Sequence, residues 1–166
     1  MSSSSFDSPL FVRDRRRRYQ PATADQILEA ARSVVDQRMR RGTAFTDPSV
    51  AGHFFRDKLA GLEREVFAVI FLDCRHRLID YAELFFGTID GAEVHPRELV
   101  KQALLLNAAA VLVAHNHPSG EPEPSAADRA LTVQLKQALS LVDVRLLDHF
   151  VIGGHVPLSM AARGWV

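Results

Sequence analysis

Two nearly continuous apolar runs, Val66-Phe67-Ala68-Val69-Ile70-Phe71-Leu72 and Ala110-Val111-Leu112-Val113-Ala114-His115, constrain the fold of this chain more than any other feature. Both are short, rich in β-forming residues and lack the polar alternation of a half-exposed strand, so each predicts a strand covered on both faces. Such strands need helices over them, and the neighbouring segments supply helical spacing. Pro96 stands early in a helix running to about Ala109, with Leu99, Ala103, Leu106 and Ala110 on one face. Ser125 opens another, with Leu131, Leu135, Ala138 and Leu139 inward. Between the runs, Asp73 to Arg77 reads as a polar turn, Leu78 to Tyr81 as a returning strand and Leu84 to Thr88 as a further short strand. Val144 to Gly153 reads as a last strand. Strands alternating with helices predict an α/β domain with a mixed β-sheet flanked by helices.

Upstream of residue 62 the texture differs. Thr23-Ala24-Asp25-Gln26 has the spacing of a capping box, followed by Ile27, Ala30, Ala31, Val34 and Val35 at helical intervals, with Gly42 as the stop. Asp47-Pro48 starts a second helix, a capping carboxylate before proline at the first helical position. Val50, Phe54 and Leu59 form its apolar side and Gly61 closes it. Residues 1–20, rich in Ser and Arg and without periodicity, read as a flexible basic arm. Residues 21–43 then form a helical lead-in, and residues 44–166 the domain itself.

Charge and cysteine content narrow the function classes. The formal net charge is zero, but residues 1–42 carry nine Lys or Arg against five Asp or Glu. Five of those nine lie in Arg13-Asp14-Arg15-Arg16-Arg17-Arg18, followed by Tyr19. Such a cluster is either a solvated arm or a weak phosphate contact to nucleic acid. A nucleic-acid-binding body is normally basic as well, and the rest of this chain is not. No apolar run approaches the roughly 20 residues needed to span a bilayer, so no membrane partner is expected. Met1 to Ser5 has no basic segment leading into an apolar one, which argues against a signal peptide. Cys74 is the only cysteine, which excludes an intrachain disulfide framework and fits the reducing cytoplasm.

The chemistry lies in His115-Asn116-His117-Pro118-Ser119-Gly120, followed by Ser125 and Asp128. In extended backbone, residues i and i+2 project to one face, so both imidazoles can reach one ion where the apolar strand ends. Three prolines, Pro118, Pro122 and Pro124, stiffen the loop that returns the chain to Ser125 and Asp128. Both of these fall in the first turn of one helix, whose positive end favours a carboxylate. Ser-x-x-Asp is also close to a capping box, so Ser125 can cap the helix while its hydroxyl points at the site. Two imidazoles and a carboxylate are a good ligand set for Zn²⁺ with an open position, the usual basis of metal-assisted hydrolysis.

His115-x-His117-Pro118, with Ser125-x-x-Asp128 after a seven-residue gap, resembles the JAMM signature of MPN-domain (JAB) zinc metalloproteases. The words Phe71-Leu72-Asp73, Gly87-Thr88, Val94-His95-Pro96-Arg97-Glu98, Ala114 to Gly120 and Leu147-Asp148-His149 are similar to the bacterial RadC family within it. The resemblance covers about residues 45 to 166 and implies an MPN (JAB/JAMM) α/β fold with a short N-terminal helical extension. It implies one zinc ion held by His115, His117 and Asp128, with Ser125 stabilising the water or the oxyanion. It also implies an upstream glutamate as general base. Glu65 best matches that position, and Glu63 is its rival. The implied activity is hydrolysis of a peptide or isopeptide amide in a peptide or protein substrate. Two other classes stay open: a DNA-associated, repair-related protein whose Arg-rich arm contacts phosphate, and a non-catalytic zinc-containing interaction module.

The remaining polar residues carry less. His149 could support the site by hydrogen bonding or serve a strand structurally. His95 to Glu98 reads as a helix start, and Cys74 with His76 lacks the further ligands of a second zinc site. His155 reads as exposed. A zinc nucleobase deaminase is excluded, because it needs H-x-E and a later cysteine pair.

Overall fold

In the computed structural model, residues 9–38, 41–88 and 92–166 are described. Residues 1–8 of the expected arm and 39–40 of the expected lead-in lie outside them. Internal contacts divide the chain into two units, residues 1–38 and 39–166.

The first unit holds a two-stranded antiparallel hairpin, β1 (Phe11–Arg13) and β2 (Tyr19–Pro21), and a helix, α1 (Ala24–Arg38). Asp14 closes the hairpin turn, accepting from the backbone N–H groups of Arg16 and Arg18 at 2.8 and 2.9 Å and from Gln20 Nε2 at 3.0 Å. The arginines 15–18 stand exposed around it. The Thr23 capping box forms, with Thr23 N donating to Gln26 Oε1 and Gln26 N to Thr23 Oγ1.

The second unit is built on a five-stranded mixed sheet in the order β4-β3-β5-β6-β7. β3 (Val66–Leu72) and β5 (Ala110–Asn116) lie inside it and are buried along their whole length. They pair antiparallel, with Phe67 opposite His115. β5 and β6 (Arg145–Ile152) are parallel and joined by the crossover helix α4 (Ala126–Ser140). β7 (Leu158–Ser159) closes one edge and β4 (Leu78–Phe86) the other.

One face of the sheet is covered by α3 (Pro96–Leu105) and α4, where Leu99, Ala103, Leu135 and Leu139 pack on Phe67, Val69, Phe71, Val111 and Val113. The other face takes α2 (Pro48–Leu59), whose Phe55 rings against Phe150 and whose Phe54 rings against Tyr81. Fully burying one phenylalanine contributes about 1.5–3 kcal/mol. Asp47 caps α2 by accepting from Ser49 N at 2.8 Å, and Gly61, at φ 74°, turns the chain away after it.

Several local expectations are revised. Leu84 to Thr88 is not a separate strand: β4 runs unbroken through Phe86. Its edge position and irregular pairing with β3 let Asp80 and Glu83 sit in strand without burial. α3 stops at Leu105 because Asn107 turns left-handed at φ 51°, so Ala110 belongs to β5 and not to the helix face. In α2, Ala51 and Phe55 join Phe54 and Leu59 inward while Val50 is exposed.

Register then decides which side chains reach α4. On β6, Leu146 pairs with Val111 but Asp148 pairs with Leu112, leaving Leu147 as an extra residue. This β-bulge reverses the face of everything beyond it. His149 and Val151 therefore lie level with Val113 and His115 on the α4 side. Asp148 turns to the opposite side, where it accepts from Ser159 Oγ at 2.6 Å and Ala161 N at 2.9 Å. Burial nevertheless pushes the Asp148 carboxyl above its ordinary range.

Candidate metal centre

The centre lies where β5 ends and its crossover helix begins, the usual place for a site in an α/β sheet. His115 continues the Val111–Val113 face of β5. His117 lies just past the strand, its N–H donating to Ile152 O at 2.9 Å. Ser125 is the N-cap of α4: its Oγ accepts from Asp128 N at 3.0 Å, and its own N–H donates to Asp128 Oδ2 at 2.7 Å. The capping box expected from the sequence thus aims the carboxylate.

His115, His117 and Asp128 converge. His115 Nε2 is 2.9 Å from His117 Nε2 and 3.3 Å from Asp128 Oδ1, and His117 Nε2 is 3.5 Å from Asp128 Oδ2. Ligands of a tetrahedral zinc at bond lengths of about 2.0–2.2 Å stand about 3.3–3.6 Å apart. The donor set is chemically apt, and three acceptor atoms facing one point repel unless a cation or a proton lies among them. These residues fit a divalent metal ion.

Each of the three is held from behind. Nδ1 of His117 lies 2.7 Å from the Glu121 carbonyl; since a carbonyl only accepts, Nδ1 carries the proton and a neutral ring presents a bare Nε2 inward. Nδ1 of His115 lies 2.8 Å from Nε2 of His149, whose Nδ1 lies 2.7 Å from Oγ1 of Thr132. Ser125 Oγ donates to Asp128 Oδ2 at 2.6 Å. Burial raises the Asp128 carboxyl, but the His115 and His117 imidazoles beside it, and then the Ser125 hydroxyl, outweigh it and hold the group far below the ordinary carboxylate range. The hydrogen bond with Asp128 raises His117 above 6.5 against the opposing effect of burial. Complete burial pushes His149 well below it.

Glu65 lines the same cleft, of about 560 Å³, together with His115, His117, Ser125 and Asp128. Its Oε1 accepts from Ala92 N at 3.2 Å. Glu63 is exposed and is not among the cleft residues. Asn116, between the two histidines, holds the approach to Glu65: its Oδ1 accepts from Val66 N at 2.8 Å and its Nδ2 donates to Arg64 O at 3.0 Å.

Sequence reasoning gave no role to Asn116 or Thr132. For Thr132 a signal was present, since it lies one helical turn beyond Asp128. Asn116 acts on residues about fifty positions away, beyond any local pattern. The other polar candidates lie apart from the cleft. His95 is the exposed N-cap of α3 without a side-chain capping bond, His76 contacts Arg145, and Cys74 and His155 are exposed.

Residues 45–165 match the family described as RadC-like JAB domain. A UPF0758 protein of Xanthomonas campestris pv. campestris (strain 8004) is 58% identical over 149 residues, 88% of this chain and 66% of that relative's length. A UPF0758 protein of Xanthomonas oryzae pv. oryzae (strain PXO99A) is 56% identical over the same share of each. One from Vibrio cholerae serotype O1 is 53% identical over 156 residues, 94% of this chain and 98% of the relative. The chain thus spans just under two thirds of the Xanthomonas relatives and nearly all of the Vibrio one. Among the described residues, no helix is long and apolar enough to cross a membrane.

Proposed function

Because the chain belongs to the RadC-like JAB domain family, we propose that it is a JAMM-type zinc metallohydrolase acting on a peptide or isopeptide amide. The convergence of His115, His117 and Asp128 in one cleft with Glu65 carries this reading. His115, His117 and Asp128 would hold the ion, and three protein ligands leave a position open. A bound zinc ion supplies Lewis acidity, which makes water a competent nucleophile near neutral pH.

The chain's own groups supply the proton traffic. Glu65 accepts a proton from the attacking water and returns it to the leaving nitrogen, as general base and then general acid. Ser125 can turn its hydroxyl proton from Asp128 toward the cleft while Asp128 N–H keeps its oxygen in place. There it stabilises the developing oxyanion. The lone cysteine fits action in the cytoplasm.

Metal analysis of the protein purified without chelators, beside a His117→Ala variant, tests the centre. We expect one zinc per chain in the wild type and loss in the variant; a metal-free wild type overturns the reading. For the chemistry, Glu65→Ala should retain zinc and lose turnover. A variant as fast as wild type removes Glu65 as the base.

A second reading attaches to the N-terminal hairpin, where exposed arginines 15–18 surround a turn closed by Asp14. This surface suits weak contact with nucleic-acid phosphates. Binding that falls steeply with salt and disappears on deleting residues 1–20 would support it; binding insensitive to that deletion would exclude it.

A further inference from the structure

We infer that Thr132 and His149 are positioning residues that fix the tautomer of His115, and so decide whether its Nε2 can accept a metal ion. The inference rests on the reading of His115, His117 and Asp128 as a metal centre. It follows from hydrogen-bond direction in a buried chain that starts at the backbone carbonyl of Asp128.

That carbonyl can only accept, and Thr132 Oγ1 lies 2.7 Å from it, so the hydroxyl proton points there. The Met160 sulfur, 3.6 Å from the same hydroxyl, is the weaker acceptor. A hydroxyl has one proton. At its 2.7 Å contact with His149 Nδ1 the oxygen must therefore accept, and Nδ1 carries the hydrogen. His149 is wholly buried with no carboxylate hydrogen-bonded to its ring, so the neutral form leaves Nε2 bare. That nitrogen accepts across 2.8 Å from His115 Nδ1–H. The remaining nitrogen of His115, Nε2, then faces His117 and Asp128 with a free lone pair.

The chain has only one other consistent arrangement. If His115 carried its proton on Nε2, giving it to His117 Nε2 at 2.9 Å or to Asp128 Oδ1 at 3.3 Å, Nδ1 would face His149 Nε2 as a second lone pair. His149 would have to exchange tautomers, and Thr132 would have to withdraw its proton from the Asp128 carbonyl. The three groups therefore switch together or not at all. Thr132 acts at a distance, hydrogen-bonded to neither His115 nor His117: it ties the helix that carries Asp128 to His149 on β6, whose ring meets His115 on β5. Outer partners of ligating histidines typically account for about 10–100-fold in metal affinity.

Thr132→Val keeps the shape and removes the acceptor, whereas Thr132→Ser keeps it. In the metal-free wild type, ¹⁵N–¹H correlation spectra of the imidazoles should place the His115 and His149 protons on Nδ1. Thr132→Val should move the His115 proton toward Nε2 and weaken zinc binding, measured by competition with a chromophoric chelator, by about 10–100-fold. Thr132→Ser should restore both readouts. An Nε2-protonated His115 in the wild type overturns the inference, as does a Thr132→Val variant that binds zinc as tightly as wild type. A purely structural threonine would lower the melting temperature without moving the tautomer. If the wild type bound no zinc, the function proposed above would fall, while the tautomer readout would still decide the chain.

Discussion

The side chain of Asn116 continues the sheet where the β3–β5 backbone ladder ends, its Oδ1 accepting from the Val66 N–H at 2.8 Å. With Nδ2 on the Arg64 carbonyl at 3.0 Å, one amide grips the backbone on both sides of Glu65. We expect Asn116→Ala to release that segment, destabilising the protein by about 1–3 kcal/mol through unsatisfied buried groups. Hydrogen exchange should show faster exchange at the Val66 amide. Zinc affinity should stay within a few-fold of wild type, since no ligand is touched. An unchanged Val66 exchange rate would refute the clamp.

Gly153 makes a second, steric provision for the centre. A Cβ there would collide with the Glu121 carbonyl and Pro122 N, and that carbonyl is the acceptor for His117 Nδ1. Gly153→Ala should therefore push the loop outward and weaken zinc binding in a calorimetric titration. Gly154→Ala should leave it unchanged, because nothing lies within 4 Å of a Cβ at that position.

Ser125 serves both helix and carboxylate. Ser125→Ala should cost about 1 kcal/mol as a lost N-cap, visible as a lower denaturation midpoint. Ser125→Thr should keep most of it, because the hydroxyl remains.

The metal-free protein should be most stable near neutral pH. His149, depressed by burial, stays neutral in the fold while the unfolded chain takes up a proton, so stability is lost as pH falls below about 6.5. His117 is raised by Asp128, so its contribution is complete below about 6.5 and is lost as pH rises through its folded value. Asp128, strongly depressed, contributes above about pH 3.9 and stays charged throughout this window. Melting temperatures of chelator-treated protein from pH 5 to 9 should therefore pass through a maximum, and His117→Ala should remove the alkaline limb. Because metal binding displaces the His117 proton, the stabilisation given by zinc should grow as pH rises from 6 to 8.

The features legible in the sequence share a short range. The β3 and β5 runs, the capped starts at Thr23, Asp47 and Ser125, and the His115-x-His117 pair all depend on interactions within a few residues. Strand periodicity placed the two imidazoles on one side, and Ser-x-x-Asp turned the carboxylate back toward its own helix start. The edge strand β4 was less legible, since only Leu78 of its nine residues is buried and the exposed Asp80 and Glu83 look like breaks.

Tertiary structure alone decided what surrounds the ligands. His149 faces His115 because one extra residue, Leu147, slips the β5–β6 register and reverses the faces beyond it. No side-chain pattern within β6 encodes that slip, because it is defined only against the partner strand. The same holds for Asn116 and the Arg64–Val66 backbone, joined across antiparallel pairing between distant segments. Local residue order sets which atoms could bind a metal ion; register and pairing set which groups stand behind them and hold them there.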